Sequence, residues 1–309
     1  MAAGSAPRQI VLGTRGSELA LVQARMAQHA LSVTGIQLRI EVIRTRGDER
    51  SADSAADSKS GRKGAFTAEL EMALLDRRID IAVHSAKDLP SEMTEGLTLA
   101  AVLPRAVAED FLVTKRPMHF DTLPAAASIA SGSIRRQRQA LFLRPDLQLH
   151  ELRGNVPTRL RKFIASTWDG IVLAGAGLSR LGFCPPIFEF EEISLFIEKL
   201  PRDLFVPAGG QGVVALQTRA GEENLVAAID DSATRACLQC ERDFLHLVAG
   251  DCGTPVGAHA RISGTGEIQL TVQLFGEGTT PKRANARGRD PRLVAIEAYE
   301  KMEGANEHK

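Results

Sequence analysis

Apolar and polar positions follow two rhythms along the first hundred residues. Gln9 to Gly13 reads as a short buried strand, Thr14-Arg15-Gly16-Ser17 as a turn, and Glu18 to about Leu31 repeats its apolar positions at helical spacing. Ser17 stands where a helix cap belongs, and the free amides of the first turn would face any anion that Arg15 attracts. A capped helix beside a solvated arginine accounts for the same four residues equally well. Leu38, Ile40 and Val42 alternate as a second strand and lead into Arg44-Thr45-Arg46-Gly47-Asp48. From Glu49 to Lys63 no apolar period continues, which predicts a mobile cover over 48–63 before a helix that starts near Phe66. Ile79 to Val83 is the next strand, and it delivers His84-Ser85-Ala86-Lys87-Asp88-Leu89-Pro90 at its C-terminal end, where open α/β sheets bind ligands.

Strand and helix patterns keep alternating through Gly170-Ile171-Val172-Leu173-Ala174, which predicts two α/β units with mostly parallel sheets. Leu103-Pro104 and Leu200-Pro201 are the expected crossing points between them. After about Asp231 the pattern changes to a helix, a Gly-bracketed turn, the strands Ala258–Ser263 and Ile268–Phe275, and a final helix capped by Asp290 with Pro291 at its first position. The expected fold class is α/β: two doubly wound α/β domains plus a small α+β C-terminal domain. The boundaries are residues 1–103 with 205–225 returning, 104–204, and 226–309.

Charge alters this picture at one place. The chain balances 38 Lys+Arg against 38 Asp+Glu, yet Ser131 to Lys162 holds Arg135, Arg136, Arg138, Arg144, Arg153, Arg159, Arg161 and Lys162 against only Asp146 and Glu151. Guanidinium groups hold carboxylates or phosphates through paired hydrogen bonds and never deprotonate, so this stretch suits a polyanionic ligand that must be oriented. One Trp, one Tyr and a net charge of zero exclude a stacking platform or basic groove for nucleic acid. No apolar run approaches the roughly 18 residues of a membrane span, and Met1 to Arg8 lacks the apolar core of an export signal. A cytoplasmic monomer with four reduced cysteines is expected.

Several motifs carry candidate chemistry. Cys237 and Cys240 form a CxxC, but with Ala233, Phe244 and Leu247 they define one apolar helix face, so core packing is expected and no metal. Gly210-Gln211-Gly212-Val213-Val214-Ala215 matches a dinucleotide fingerprint only formally, since Pro207 precedes it and Val213 to Leu216 reads as a strand; a turn or hinge is expected. Cys252 lies in Gly250-Asp251-Cys252-Gly253-Thr254-Pro255, where no period continues, and glycine on both sides admits a large ligand. An inert thiol is the simpler alternative. Asp88 at a strand end can stabilise a cation or move protons, or serve as a cap or salt-bridge partner. His84, a lone histidine beside a buried strand, reads as a hydrogen-bonded structural residue.

In order, Gly13-Thr14-Arg15-Gly16-Ser17, Lys63-Gly64-Ala65-Phe66, Val83 to Pro90, Ser133-Ile134-Arg135-Arg136-Gln137, Leu152-Arg153-Gly154-Asn155-Val156 and Gly250-Asp251-Cys252 resemble the porphobilinogen deaminase (hydroxymethylbilane synthase) family from about Ile10 to Ala260. The resemblance implies a three-domain transferase of porphyrin and heme biosynthesis. Its members condense four porphobilinogen molecules head to tail and release ammonia each time, on a dipyrromethane cofactor held by a thioether. By the same resemblance, the cofactor cysteine falls on Cys252 and the catalytic aspartate on Asp88. The cofactor- and substrate-binding residues fall on Arg15, Ser17, Lys63, Phe66, Ser85, Lys87, Ser133, Arg135, Arg136, Arg153, Asn155 and Arg159. The chain departs from the family's usual pattern at Ala65, at Val206 to Gly212 and, mildly, at Gly253-Thr254. The alternative is a non-catalytic, two-lobed binding protein for an anionic small molecule, which would use the paired α/β units and the arginines but neither Asp88 nor Cys252.

Overall fold

A computed structural model of the chain describes residues 9–44, 67–249 and 254–304. In chain order it forms β1 (Ile10–Thr14), α1 (Glu18–Ser32), β2 (Leu38–Val42), α2 (Ala68–Leu75), β3 (Ile81–Ser85), β4 (Leu97–Val102), β5 (Asp110–Thr114), β6 (Ser128–Ala130), α3 (Ile134–Leu143), β7 (Gln148–His150), α4 (Val156–Ala165), β8 (Gly170–Ala174) and α5 (Gly175–Arg180). Then follow β9 (Ile187–Phe190), β10 (Ile193–Lys199), β11 (Val214–Arg219), α6 (Ser232–Leu247), β12 (Val256–Ile262), β13 (Ile268–Leu274), β14 (Lys282–Gly288) and α7 (Pro291–Gly304). These fold as two units, Met1–Pro104 with Val213–Arg235, and Arg105–Gly212 with Ala236–Lys309.

In the first unit, five strands lie in the order β2-β1-β3-β11-β4. Because successive side chains of a strand point to opposite faces, β3 serves two helices. Ile81 and Val83 pack with Leu12 and with Ala24, Ala27 and Leu31 of α1. Ala82 packs with Leu70, Ala73 and Leu74 of α2. Burying each Leu or Ile fully stabilises by roughly 1.5–3 kcal/mol. This double-sided burial is why Ile79 to Val83 is a near-continuous apolar run.

The second unit holds a six-stranded sheet, β7-β6-β8-β5-β10-β9, and a three-stranded one, β12-β13-β14. The expectation of mostly parallel sheets fails. β1 runs parallel to β2 and β3, and β6 to β7 and β8. β11, however, is antiparallel to both β3 and β4, and β5 to both β8 and β10. A parallel neighbour needs a crossover helix, whereas β11 rejoins its sheet after the whole second α/β segment. β9 and β10 form a hairpin whose two turn residues, Glu191 and Glu192, have φ of 49° and 64°. Such turns usually advertise themselves by Asn-Gly or Asp-Gly, and two glutamates do not.

The C-terminal sheet has its own core, in which Cys237, Cys240 and Phe244 of α6 meet Val272 and Ala295. The CxxC is therefore core, as its spacing predicts, and burial pushes the Cys240 thiol well above the usual range. Asp290 caps α7 by accepting from the Leu293 amide at 2.9 Å. β14 is a third strand that the pattern does not announce, because its buried positions, Ala284 and Ala286, are small and flanked by Arg283 and Arg287.

Fully buried Glu241 ties this sheet to the segments at both ends of the α/β part of the unit. It accepts from both terminal nitrogens of Arg105, at 2.6 and 2.8 Å, and from the amides of Gly210 and Ala260, at 2.8 and 2.7 Å. Burial alone would raise its pKa, but Arg105 and His259 hold it at about 2. Gly210 and Gly212 have φ of 74° and 87°. A Cβ on Gly212 would lie 2.7 Å from the Ala106 carbonyl oxygen. The Gly-Gln-Gly run is thus a turn into a strand, as expected, and opens no helix.

Candidate active site

In the first unit, β1 and β3 end beside the start of α1 and form one pocket. Arg15, Ser17, Gln23, Thr67, His84, Ser85 and Asp88 line it. Ser17 is the α1 cap and accepts from the Ala20 amide at 3.4 Å. Ser85, on the α1 face of β3, exchanges hydrogen bonds of 2.8 and 3.2 Å with buried Gln23. Lys87 and Asp88 stand on the single 3-10 turn Ala86–Asp88 that follows β3. Among the described residues no ion pair or hydrogen bond ties up the half-buried Asp88 carboxylate, so the salt-bridge alternative for it is not realised. Thr67 Oγ1 is buried in the same pocket without a hydrogen-bond partner among the described residues.

The second unit carries the arginine-rich stretch, and its guanidiniums have partners that local charge counting misses. Arg135 and Arg136 are buried on Asp110, at 2.8 and 2.9 Å. Arg135 also donates to Gln139 and the Val206 carbonyl, and Arg136 to Gln211 and the Val172 carbonyl. Burial would raise the Asp110 carboxyl, yet the two guanidiniums, Arg135 ahead of Arg136, hold it at about 2. Both guanidiniums are thus engaged within the unit, and Arg135 Nε remains a buried donor without a partner among the described residues. Arg144 closes on Asp146 at 2.7 Å, and Arg161 on Glu191 at 2.6 Å. Arg153 is half exposed against Glu151, at 2.9 Å. Arg159 Nε donates to the Gly154 carbonyl at 2.7 Å. Asn155 caps α4 by accepting from the Thr158 amide at 2.9 Å, and Ser133 stands at the cap position of α3 without making a capping bond.

Replacing Asp110 by asparagine should destabilise the protein by about 3–5 kcal/mol, because it leaves two buried guanidiniums facing an uncharged amide. Wild-type stability from this group is complete above the unfolded carboxyl pKa of 3.8 and is lost as pH falls through about 2. Denaturant titrations of both proteins across that acid range measure it: the wild type should show this acid-dependent loss and the Asn variant should lack it.

Arg180, at the end of α5, escaped the sequence reading. Its Nη2 donates to the Gly212 carbonyl at 2.8 Å, its Nε is buried without a partner among the described residues, and burial pulls its pKa down to about 10. A cation so placed, with no ion-pair partner among the described residues, suits an anionic ligand. It lies beyond the charge-dense stretch, so composition gave no signal. Lys63, Phe66, Cys252 and the 48–63 segment lie outside the described residues.

Comparison with known proteins agrees with this chemistry. The family model "Porphobilinogen deaminase, dipyromethane cofactor binding domain" matches residues 10–227. The porphobilinogen deaminase of Syntrophomonas wolfei is 44% identical over 268 residues, 85% of this chain and 84% of that protein. That of Oceanobacillus iheyensis is 38% identical over 309 residues, 97% of this chain and 96% of its own. Among solved structures, the methionine-binding protein MetQ aligns with a TM-score of 0.44 at 14% identity, over 74% of this chain and 93% of that one. With the matched model spanning both α/β segments and the relatives matching nearly end to end, the chain belongs to the porphobilinogen deaminase family.

Proposed function

We propose that this chain condenses four porphobilinogen molecules head to tail into hydroxymethylbilane, releasing one ammonia per unit, on a dipyrromethane attached to Cys252. The carrying observation is the Asp88 carboxylate after β3, without an ion pair or hydrogen bond among the described residues, in a pocket that also presents Arg15 and the capped N-terminus of α1. When the aminomethyl C–N bond of porphobilinogen breaks, the electron pair leaves with ammonia and the remaining methylene-pyrrole is cationic. Asp88 stabilises that cation and accepts a hydrogen bond from its pyrrole N–H. Arg15 and the α1 amides hold the acetate and propionate side chains.

The dipyrromethane, when bound, supplies the pyrrole terminus on which the chain grows. Its acetate and propionate groups fit the donors present here, including the orphaned Nε atoms of Arg135 and Arg180. In the second unit Arg153 and Arg159 add cationic character and Ser133 and Asn155 orient carboxylates of the cofactor, and in the first unit Ser17, Ser85 and Lys87 orient those of the substrate. Lys63 and Phe66 contribute charge and a stacking face. We assign residues 226–309 as the third domain, carrying Cys252 and packed on its own core. The protein works as a cytoplasmic monomer with porphobilinogen as its partner and with neither nucleic acid nor membrane. Balanced charge supports this, and no described helix is long and apolar enough to cross a membrane.

Intact mass spectrometry together with an ammonia assay tests the reading. The purified protein should carry the mass of a dipyrromethane and release one ammonia per porphobilinogen consumed. A protein of unmodified mass that binds porphobilinogen and releases no ammonia would point to a binding protein instead.

A further inference from the structure

His84 is the titratable pocket residue, beside Arg15 and Asp88, that the proposed chemistry leaves without a task. It occupies the β3 position between Val83 and Ser85, so its side chain points to the α2 face, opposite to that of Ser85. Across the antiparallel pair His84 stands opposite Ala215, and Gln217 opposite Ala82, which makes His84 and Gln217 diagonal neighbours. Their ring Nε2 and amide Oε1 are 3.0 Å apart. Gln217 Nε2 donates to Glu71 Oε1 at 2.9 Å, and the hydroxyl of Thr94 donates to the other Glu71 oxygen at 2.8 Å.

The order of donors in this buried chain is forced. A carboxylate only accepts, so Gln217 must turn its amide N–H groups to Glu71. Its carbonyl oxygen then faces His84 and can only accept, so the proton of the imidazole sits on Nε2. The other nitrogen, Nδ1, keeps its lone pair. Burial pushes the ring down to a pKa of about 4, against the opposing effect of the Gln217 bond and with a further push from Arg15. The imidazole is uncharged at neutral pH, and His84 lines the same pocket as Asp88.

We propose that the Thr94, Glu71, Gln217 and His84 chain locks His84 in its Nε2–H tautomer, so that the ring offers the pocket a neutral Nδ1 acceptor for an N–H group of the substrate. The substrate half of this inference rests on the reading of the pocket given above; the tautomer half does not. An uncharged acceptor is what a site next to Asp88 requires. A protonated ring would repel the methylene-pyrrole cation, and a second carboxylate there would disfavour the ionised form of Asp88. A neutral lone pair orients an N–H without altering the charge that Asp88 supplies.

Two measurements test it. Nitrogen-15 NMR of histidine-labelled enzyme at pH 7, with the His84 signal assigned by its loss in His84→Gln, should show protonated Nε2 and unprotonated Nδ1. In Glu71→Gln, where the amide of Gln217 no longer has a carboxylate to face, a mixture of tautomers should appear. A wild-type ring protonated on Nδ1, or on both nitrogens, overturns the proposal. The second measurement compares variants for which melting temperature and covalent primer mass are confirmed. His84→Gln places an amide donor near the Nε2 position and removes the Nδ1 acceptor, so KM for porphobilinogen should rise about tenfold, as for loss of one hydrogen bond. His84→Asn keeps an acceptor near the Nδ1 position and should retain a lower KM than His84→Gln. Equal KM values in His84→Gln and wild type would overturn the substrate contact. A wild-type enzyme with the Nε2–H tautomer that released no ammonia would sustain the tautomer lock and sink the reading of the pocket.

Discussion

Replacing Asp88 by asparagine should lower turnover about 10²- to 10³-fold while leaving the melting temperature within the range of an ordinary surface change. The amide keeps the shape of the carboxylate and can still accept one hydrogen bond from a pyrrole N–H. What it lacks is the negative charge beside the methylene-pyrrole cation. Losing one electrostatic partner made in the transition state accounts for the size of the loss, and it should fall on kcat more than on KM. Stability should be spared because, among the described residues, no ion pair or hydrogen bond of the fold depends on the Asp88 side chain. Steady-state assays and thermal unfolding of the same preparation decide it. Unchanged kcat would remove Asp88 from the mechanism, and a large fall in melting temperature would make it a structural carboxylate.

Cys252→Ala should abolish both the covalent primer and the activity, whereas Cys237→Ala and Cys240→Ala should keep both. The contrast follows from environment. Cys237 and Cys240 lie on the buried face of α6, and burial holds the Cys240 thiol in its protonated, unreactive form. Truncating either leaves a small cavity, with a cost on the order of 1 kcal/mol. Cys252 sits in a segment bracketed by Gly250 and Gly253, a composition that allows the backbone the freedom to present its sulfur to a bulky pyrrole chain. Cys184 is exposed and is the control thiol for adventitious labelling. Proteolytic fragments of the wild type, Cys237→Ala and Cys240→Ala should place the dipyrromethane mass on the peptide that contains Cys252 alone, and those of Cys252→Ala should carry it nowhere. The same mass on the Cys184 peptide, or an active Cys252→Ala enzyme, would overturn the attachment.

Much of this protein follows from local sequence. The strand-turn-helix around Ser17, the strand that delivers Ser85 and Asp88, the helix that buries Cys237 and Cys240, and the Asp290-Pro291 helix start all formed as predicted. Each rests on periodicity or capping chemistry that acts over a few residues. The order of motifs that marks the family is likewise a property of the chain itself.

Tertiary structure decided the rest, because the interactions in question join residues far apart in sequence. The first sheet is mixed because β11 inserts between β3 and β4 after a long excursion, and the six-stranded one because β5 lies antiparallel between β8 and β10, which no local period records. The arginine-rich stretch looks like a single anion site when charges are counted along the chain. In three dimensions Asp110 claims Arg135 and Arg136, and Glu191 claims Arg161, while Arg135 Nε and Arg180 Nε are left without a partner among the described residues. His84 shows the same limit. Sequence marks it as a lone histidine on a strand, but its protonation is set by Gln217, 133 residues away, and Gln217 is oriented in turn by Glu71. Local sequence determined which side chains stand at each strand end and helix start. The directional partners of a buried polar group, which fix its charge and the face it offers, came only from the fold.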